Sequence, residues 1–139
     1  AQLTMAQKVP LAGAVIVSTP QDIALLDARK AINMFRRVDV PIMGIVENMS
    51  YFACPHCGQR TEIFAHGGAK SCAETYNVDF LAEIPLDIAI RETSDGGQPI
   101  VVSRPGTPQA QAYLDLARTI RDKLSGPSSA KPFPRIVYA

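Results

Sequence analysis

Apolar residues follow two patterns along this chain, short uninterrupted runs and longer stretches with helical spacing. The runs GAVIV at residues 13–17 and PIMGIV at residues 41–46 are rich in β-branched side chains, which is typical of strands buried on both faces of a parallel sheet. Between them, residues 21–37 repeat apolar positions at helical spacing and end on basic residues, which predicts a crossover helix. Strand, helix and strand in this order predict a right-handed parallel unit and an α/β fold.

The remaining chain predicts one more strand and several helices. A short apolar run at residues 80–84 predicts the strand, and Pro85 with Asp87 predicts the start of a short helix. Helical patterns also occur at residues 2–8, 69–76 and 108–124. We expect residues 1–124 to form one domain and residues 125–139, rich in Pro and Ser, to be a flexible tail. Because the first helical pattern begins directly at the start of the chain, we interpret the sequence as part of a longer protein.

Composition and charge narrow the classes of function. A chain of 139 residues, 47% hydrophobic and 19% charged, suits one ordinary globular domain. Its net charge of +1 gives no strong field to attract nucleic acid or an anionic membrane. No apolar run approaches the ~20 residues that cross a bilayer. We therefore expect a soluble protein with neither nucleic acid nor membrane as a partner.

Residues 52–64 have no helical period and predict a loop that carries the motif CPHCG. Its two cysteines, Cys54 and Cys57, can bind one metal centre, because the turn between them brings both sulfurs to the same side. The chain has 3 cysteines, and two so close together indicate metal or redox chemistry rather than a disulfide scaffold. This usage favours a reducing compartment such as the cytoplasm.

The residues leave several interpretations of the cysteine pair open, including a plain turn. A dithiol oxidoreductase would have a long helix directly after the motif, whereas GQRT at residues 58–61 does not begin one. A structural zinc ion needs four ligands, for which His56, His66 and Cys72 are the other candidates, although Cys72 also suits a buried helix position. Alternatively, two chains each contribute one pair, and four thiolates bind an iron–sulfur cluster on a two-fold axis.

The order of the motifs along residues 2–124 is similar to that of a known family. The motifs are TPQD at residues 19–22, NMS at 48–50, CPHCG at 54–58, IPLD at 84–87 and the DGG turn at 95–97. Together they resemble the Mrp family of iron–sulfur cluster carriers, also called ApbC, which are P-loop ATPases of the MinD-like class. MFRRVDVP at residues 34–41 is also similar to the mitochondrial relative that matures respiratory complex I.

The resemblance implies a fold, a cofactor and partners. The fold would be a truncated doubly wound parallel sheet with flanking helices, P-loop NTPase-like but without its N-terminal P-loop portion. Cys54 and Cys57 would bind a [4Fe-4S] cluster at a homodimer interface and pass it to apo iron–sulfur proteins, in the cytoplasm or in a mitochondrial matrix. The full-length family also uses ATP and Mg, so the Asn48 amide would recognise adenine, with Pro85 and Leu86 lining the other side of the base.

The sequence departs from the family pattern at the phosphate site. It contains no G-x-x-x-x-G-K-[ST] motif and no strand-end aspartate for magnesium, so we expect no ATP hydrolysis by this chain alone. Ala65 stands where the family usually has glycine. Without the P-loop strand, apolar sheet edge and helix surface would be exposed, and we expect a marginal or self-associating chain. A zinc-stabilised interaction module that binds neither cluster nor nucleotide stays open as an alternative function.

Overall fold

The computed structural model describes residues 1–126 of the chain. The helices within them are α1 (Gln2–Lys8), α2 (Asp22–Arg37), α3 (Gly68–Tyr76), α4 (Ile88–Asp95), α5 (Ile100–Ser103) and α6 (Pro108–Leu124). The strands are β1 (Ala14–Ser18), β2 (Ile42–Glu47), β3 (Phe52–Ala53), β4 (Arg60–Thr61) and β5 (Phe80–Glu83). None of the helices among these residues is long and apolar enough to cross a membrane.

Three of the strands form a parallel sheet in the order β1-β2-β5. Helix α2 connects β1 to β2, and the antiparallel hairpin β3–β4 followed by α3 connects β2 to β5. The register pairs Ser18 with Glu47 and Glu47 with Glu83, so the carboxyl ends of all three strands meet at one edge. This edge is where α/β sheets usually bind ligands. The predicted α/β fold with a parallel sheet is confirmed.

The core lies between the sheet and the helices α2 and α3. Ile32 of α2 and Ile45 of β2 are both 0% exposed, and burying each side chain stabilises the fold by roughly 1.5–3 kcal/mol. Cys72 of α3 is 3% exposed and belongs to the same cluster. At Gly44 an added Cβ would lie 2.5 Å from the Asp79 carbonyl oxygen, so the close contact of β2 with the chain entering β5 requires glycine there.

The predicted elements agree with the structure within one or two residues, with two exceptions. The segment 52–64, predicted as a loop, contains the hairpin β3–β4. Helix α5 at Ile100–Ser103 was not predicted. Asp87 begins α4 as expected, because its Oδ1 accepts a hydrogen bond from the Ala89 N–H at 2.7 Å. Of the predicted tail, residues 127–139 lie outside the described residues.

Candidate functional site

The cysteine motif forms the tip of the hairpin β3–β4. Cys54 donates its N–H to the Gln59 carbonyl at 3.0 Å and accepts the Gly58 N–H at its own carbonyl at 2.8 Å. Gly58 has a φ of +73° and open space around its missing Cβ, so the left-handed backbone, not crowding, favours glycine. Cys54 is partly exposed and Cys57 is exposed. Both thiols are therefore presented at the surface by a closed turn.

The backbone of the turn favours the thiolate form of Cys54. Hydrogen bonds from the backbone N–H of Cys57, then from that of His56, and then from the Cys57 side chain lower the pKa of Cys54 below its ordinary value. Burial raises the pKa slightly but does not reverse the direction. A thiolate is the form that binds metal and exchanges ligands. The turn thus favours the reactive thiolate form of Cys54.

Within residues 1–126, no third protein ligand lies beside the cysteine pair. Cys72 lies in the hydrophobic core beneath α3, as expected for a buried helix position. His66 contacts Glu62, with 3.2 Å between Nδ1 and Oε1. Among residues 1–126, the one group of three or more potential metal ligands contains neither Cys54 nor Cys57. The possible zinc site of Cys54, Cys57, His66 and Cys72 is therefore not assembled within the described part of one chain.

The three residues predicted to contact adenine lie at the carboxyl edge of the sheet. Asn48 follows β2, and Pro85 and Leu86 follow the neighbouring strand β5. Asn48 lines a cavity together with Ser18 and Thr19. Pro85 and Leu86 do not line this cavity. Its Oδ1 accepts the Met49 N–H at 3.0 Å, a bond that also shapes the turn after the strand. The structure thus places the three residues on one edge but not around one cavity.

A buried carboxylate at the same edge was not predicted from the sequence. Glu47 is 0% exposed; its Oε1 accepts the Ser50 hydroxyl at 2.7 Å, and its Oε2 accepts the Ala69 N–H at 2.9 Å. The second bond satisfies a free N–H in the first turn of α3. Glu47 therefore joins the central strand to the helix that follows the cysteine hairpin. The sequence feature that could have indicated this carboxylate is the position of Glu47 directly after the apolar run PIMGIV.

Arg60 connects the hairpin to the sheet. Its guanidinium donates to Glu83 Oε2 at 2.9 Å and lies 4.0 Å from the centre of the Tyr51 ring. Glu62 Oε1 lies 3.8 Å from its Nε. Cation–π and ion-pair contacts at exposed positions each contribute roughly 1 kcal/mol or less. Several such contacts on one side chain fix the orientation of β4 relative to β5.

The segment between the hairpin and α3 has left-handed backbone at two residues. Ala65 has a φ of +77° and Gly67 a φ of +74°. A non-glycine residue in this region costs roughly 1–2 kcal/mol. The conformation would favour the glycine that the resemblance implies at position 65, and Ala65 adopts it at an energetic cost.

Two solved structures similar to this chain are a nucleotide-binding protein and a cell division ATPase. A nucleotide-binding protein from Archaeoglobus fulgidus, solved in complex with ADP and with Co found, is 40% identical with a TM-score of 0.56, over 73% of this chain and 37% of that one. The cell division ATPase MinD from Pyrococcus furiosus is 26% identical with a TM-score of 0.64, over 81% of this chain and 43% of that one. The chain therefore has an α/β fold of the MinD-like P-loop NTPase class.

Sequence comparison identifies the family within this class. The family described as "ParA: NUBPL iron-transfer P-loop NTPase" matches residues 1–121, and the chain belongs to it. The iron-sulfur cluster transfer protein NUBPL of Dictyostelium discoideum is 55% identical over 122 residues, which are 88% of this chain and 38% of the relative. The iron-sulfur cluster carrier protein of Haemophilus influenzae is 53% identical over 131 residues, 94% of this chain and 35% of the relative. The chain thus spans less than two fifths of the length of these relatives.

Proposed function

We propose that this chain binds a [4Fe-4S] cluster through Cys54 and Cys57 at the interface of a homodimer and passes it to apo iron–sulfur proteins. The observation that carries the proposal is the hairpin tip, where two accessible thiols have no third protein ligand from the described part of their own chain. A cubane cluster commonly takes four thiolates. Two copies of the tip, related by a two-fold axis, would supply them.

The exposure of the tip also suits release of the cluster. Cys57 is exposed, so a thiolate of a recipient protein can approach its iron and replace it by ligand exchange. One sulfur–iron bond forms as another breaks, and no electron is transferred. A cluster held in a closed cage of four buried cysteines would lack this access. The cluster is therefore the cargo of the protein, and the hairpin is the part that carries it.

The nucleotide part of the proposal concerns a chain with the full length of the relatives. Asn48, Pro85 and Leu86 would contact adenine there, and ATP with Mg would control loading or release of the cluster. Their place at the carboxyl edge of a parallel sheet supports this role. Because the sequence contains no phosphate-binding motif, we expect the 139-residue chain to release no phosphate from ATP. We place the protein in the cytoplasm or the mitochondrial matrix, where thiols stay reduced.

Anaerobic reconstitution with ferrous iron and sulfide tests the proposal. We expect a brown protein with broad visible absorbance, about two irons per chain, and the native mass of a dimer. Cys54→Ser and Cys57→Ser should each abolish the absorbance. Cys72→Ala is the matched control, because Cys72 lies in the core, and it should keep the cluster.

Two results would contradict the proposal. One is a colourless chain that binds one zinc ion as a monomer, which would favour the zinc-stabilised interaction module. The other is a cluster that survives in both Cys54→Ser and Cys57→Ser, which would place its ligands elsewhere. Loss of the cluster in Cys72→Ala, with unfolding excluded by circular dichroism, would likewise reject the assignment of the ligand pair.

A further inference from the structure

Three side chains with metal-binding atoms converge beside the cysteine hairpin. Glu47, His66 and Glu83 each offer one ligand atom, and these atoms all lie within 4.8 Å of one another. Glu47 and Glu83 are paired neighbours on the parallel strands β2 and β5. His66 reaches them from the segment before α3. Rigid strands therefore hold two of the three groups, and a loop brings the third.

The combination of groups indicates a class of ion. Imidazole suits iron, zinc and related transition metals, and carboxylates are compatible with the same divalent ions. Ligating carboxylates are commonly oriented by further hydrogen bonds. Glu47 has this arrangement, because the Ser50 hydroxyl and the Ala69 N–H fix its two oxygens at 2.7 and 2.9 Å. The set suits Mn²⁺, Fe²⁺, Co²⁺ or Zn²⁺.

The burial of Glu47 is a separate observation that favours a bound cation. Its side chain is 0% exposed, and within residues 1–126 no Lys, Arg or His forms an ion pair with it. A buried carboxylate is costly unless it is paired with a cation or coordinates a metal. Its two hydrogen-bond donors, the Ser50 hydroxyl and the Ala69 N–H, are both neutral. A divalent ion would supply a cationic partner.

Arg60 lies beside this cluster and also contacts residues outside it. Its Nη2 lies 2.9 Å from Glu83 Oε2 and 3.5 Å from His66 Nδ1. Glu62 and the ring of Tyr51 are alternative partners already in contact with it. A metal ion that binds Glu83 and His66 would therefore replace the contacts of Arg60 with these two residues, while the guanidinium keeps its contacts with Glu62 and Tyr51.

We propose that Glu47, His66 and Glu83 form a binding site for one divalent transition-metal ion, distinct from the cysteine pair, and that the ion competes with Arg60 for Glu83 and His66. The site does not depend on the proposed cluster function, since it contains neither Cys54 nor Cys57. Its ligands belong to the sheet edge rather than to the tip of the hairpin.

A titration in a chain without the cysteine pair tests the site. We expect the Cys54→Ser/Cys57→Ser double variant to bind one Mn²⁺ or Co²⁺ ion per chain. Calorimetry measures the binding of either ion, and the optical spectrum also reports the binding of cobalt. The cobalt spectrum should lack the near-ultraviolet charge-transfer band of thiolate ligation. In that background His66→Ala and Glu83→Gln should each weaken metal binding by about tenfold or more. Ser50→Ala removes a hydrogen bond that orients Glu47, and it should weaken metal binding by about 10–100-fold. Glu74→Gln, on the exposed surface of α3, is the control and should change nothing.

Arg60→Met gives a test of opposite sign. Removing the guanidinium removes a competitor for Glu83 and His66, so we expect tighter binding of Mn²⁺, whereas a variant that merely loosened the hairpin would bind more weakly. Denaturant unfolding of each variant shows that it is folded. Absence of saturable binding, or equal affinities in the background chain, His66→Ala and Glu83→Gln, would overturn the proposal. Weaker binding in Arg60→Met would overturn the competition.

Discussion

The sheet core and the cysteine hairpin differ in almost every physical respect. The core is formed by parallel strands and two packed helices, and side chains such as Ile32 and Ile45 are fully buried. The hairpin has strands of only two residues, joined at Phe52–Thr61 and Ala53–Arg60, and Cys57 at its tip is exposed. Burial stabilises the first region, and a closed turn with charged contacts orients the second. Stability and ligand chemistry are therefore located in different parts of the chain.

The largest expected effect tests this separation directly. Ile32→Ala removes a fully buried side chain at the centre of the core, and we expect it to lower the free energy of unfolding by about 2–5 kcal/mol. Ile63→Ala is the matched control just beyond the hairpin, where the isoleucine is 51% exposed, and it should cost less than about 1 kcal/mol. Urea unfolding followed by circular dichroism measures both. Equal costs would show that the hairpin segment is part of the cooperative core.

Glu47 lies where the two regions meet, and its removal should have an intermediate effect. Glu47→Ala leaves the Ala69 N–H and the Ser50 hydroxyl without their acceptor, which costs about 1–3 kcal/mol. We expect hydrogen exchange to accelerate in the first turn of α3 more than in β1. Unchanged exchange at Ala69 would show that the carboxylate does not hold the start of this helix.

The core could be predicted from the sequence because its signals are local. The β-branched runs before Ser18 and before Glu47 indicate burial on both faces, and the helical spacing of residues 21–37 indicates the crossover. The motif order indicated the family, and Asn48 and Pro85 follow the neighbouring strands β2 and β5 at the carboxyl edge of the sheet. The strand and helix predictions each depend on residues close together in the chain, whereas the family assignment depends on the order of short motifs along it.

The features that were missed depend on contacts between distant residues or on weak local preferences. Two-residue strands have too few positions to show a period, so the hairpin was predicted as a loop. Helix α5 has the sequence IVVS, whose β-branched residues favour strands. Glu47 was missed because its partner Ala69 is 22 positions away. A carboxylate at the end of a strand otherwise indicates a solvent-exposed position.

The ionisation of Cys54 has the smallest expected effect on stability. It also gives a direct test of the hydrogen bonds in the hairpin turn. Because backbone hydrogen bonds lower its pKa in the folded chain, alkylation of Cys54 by iodoacetamide should begin at lower pH in the native chain than in urea, where those bonds are lost. The lowered pKa also means that the Cys54 thiolate stabilises the folded chain. This contribution to the free energy of unfolding is present above the pKa that Cys54 has in the unfolded chain, and it is lost as pH falls through the pKa that Cys54 has in the folded chain. Mass spectrometry of the peptides gives the rate at each pH. Buried Cys72 should react only in urea.

Two variants of the neighbouring residue separate backbone from side chain as the cause. His56→Ala keeps the backbone N–H that contributes to the lowered pKa of Cys54, so its pH–rate curve should coincide with that of the unmodified chain. His56→Pro removes that N–H, and the curve should move toward higher pH by part of the difference seen in urea. A shift in His56→Ala as large as that in His56→Pro would assign the effect to the imidazole. The turn would then orient the cysteines, and the histidine would tune their charge.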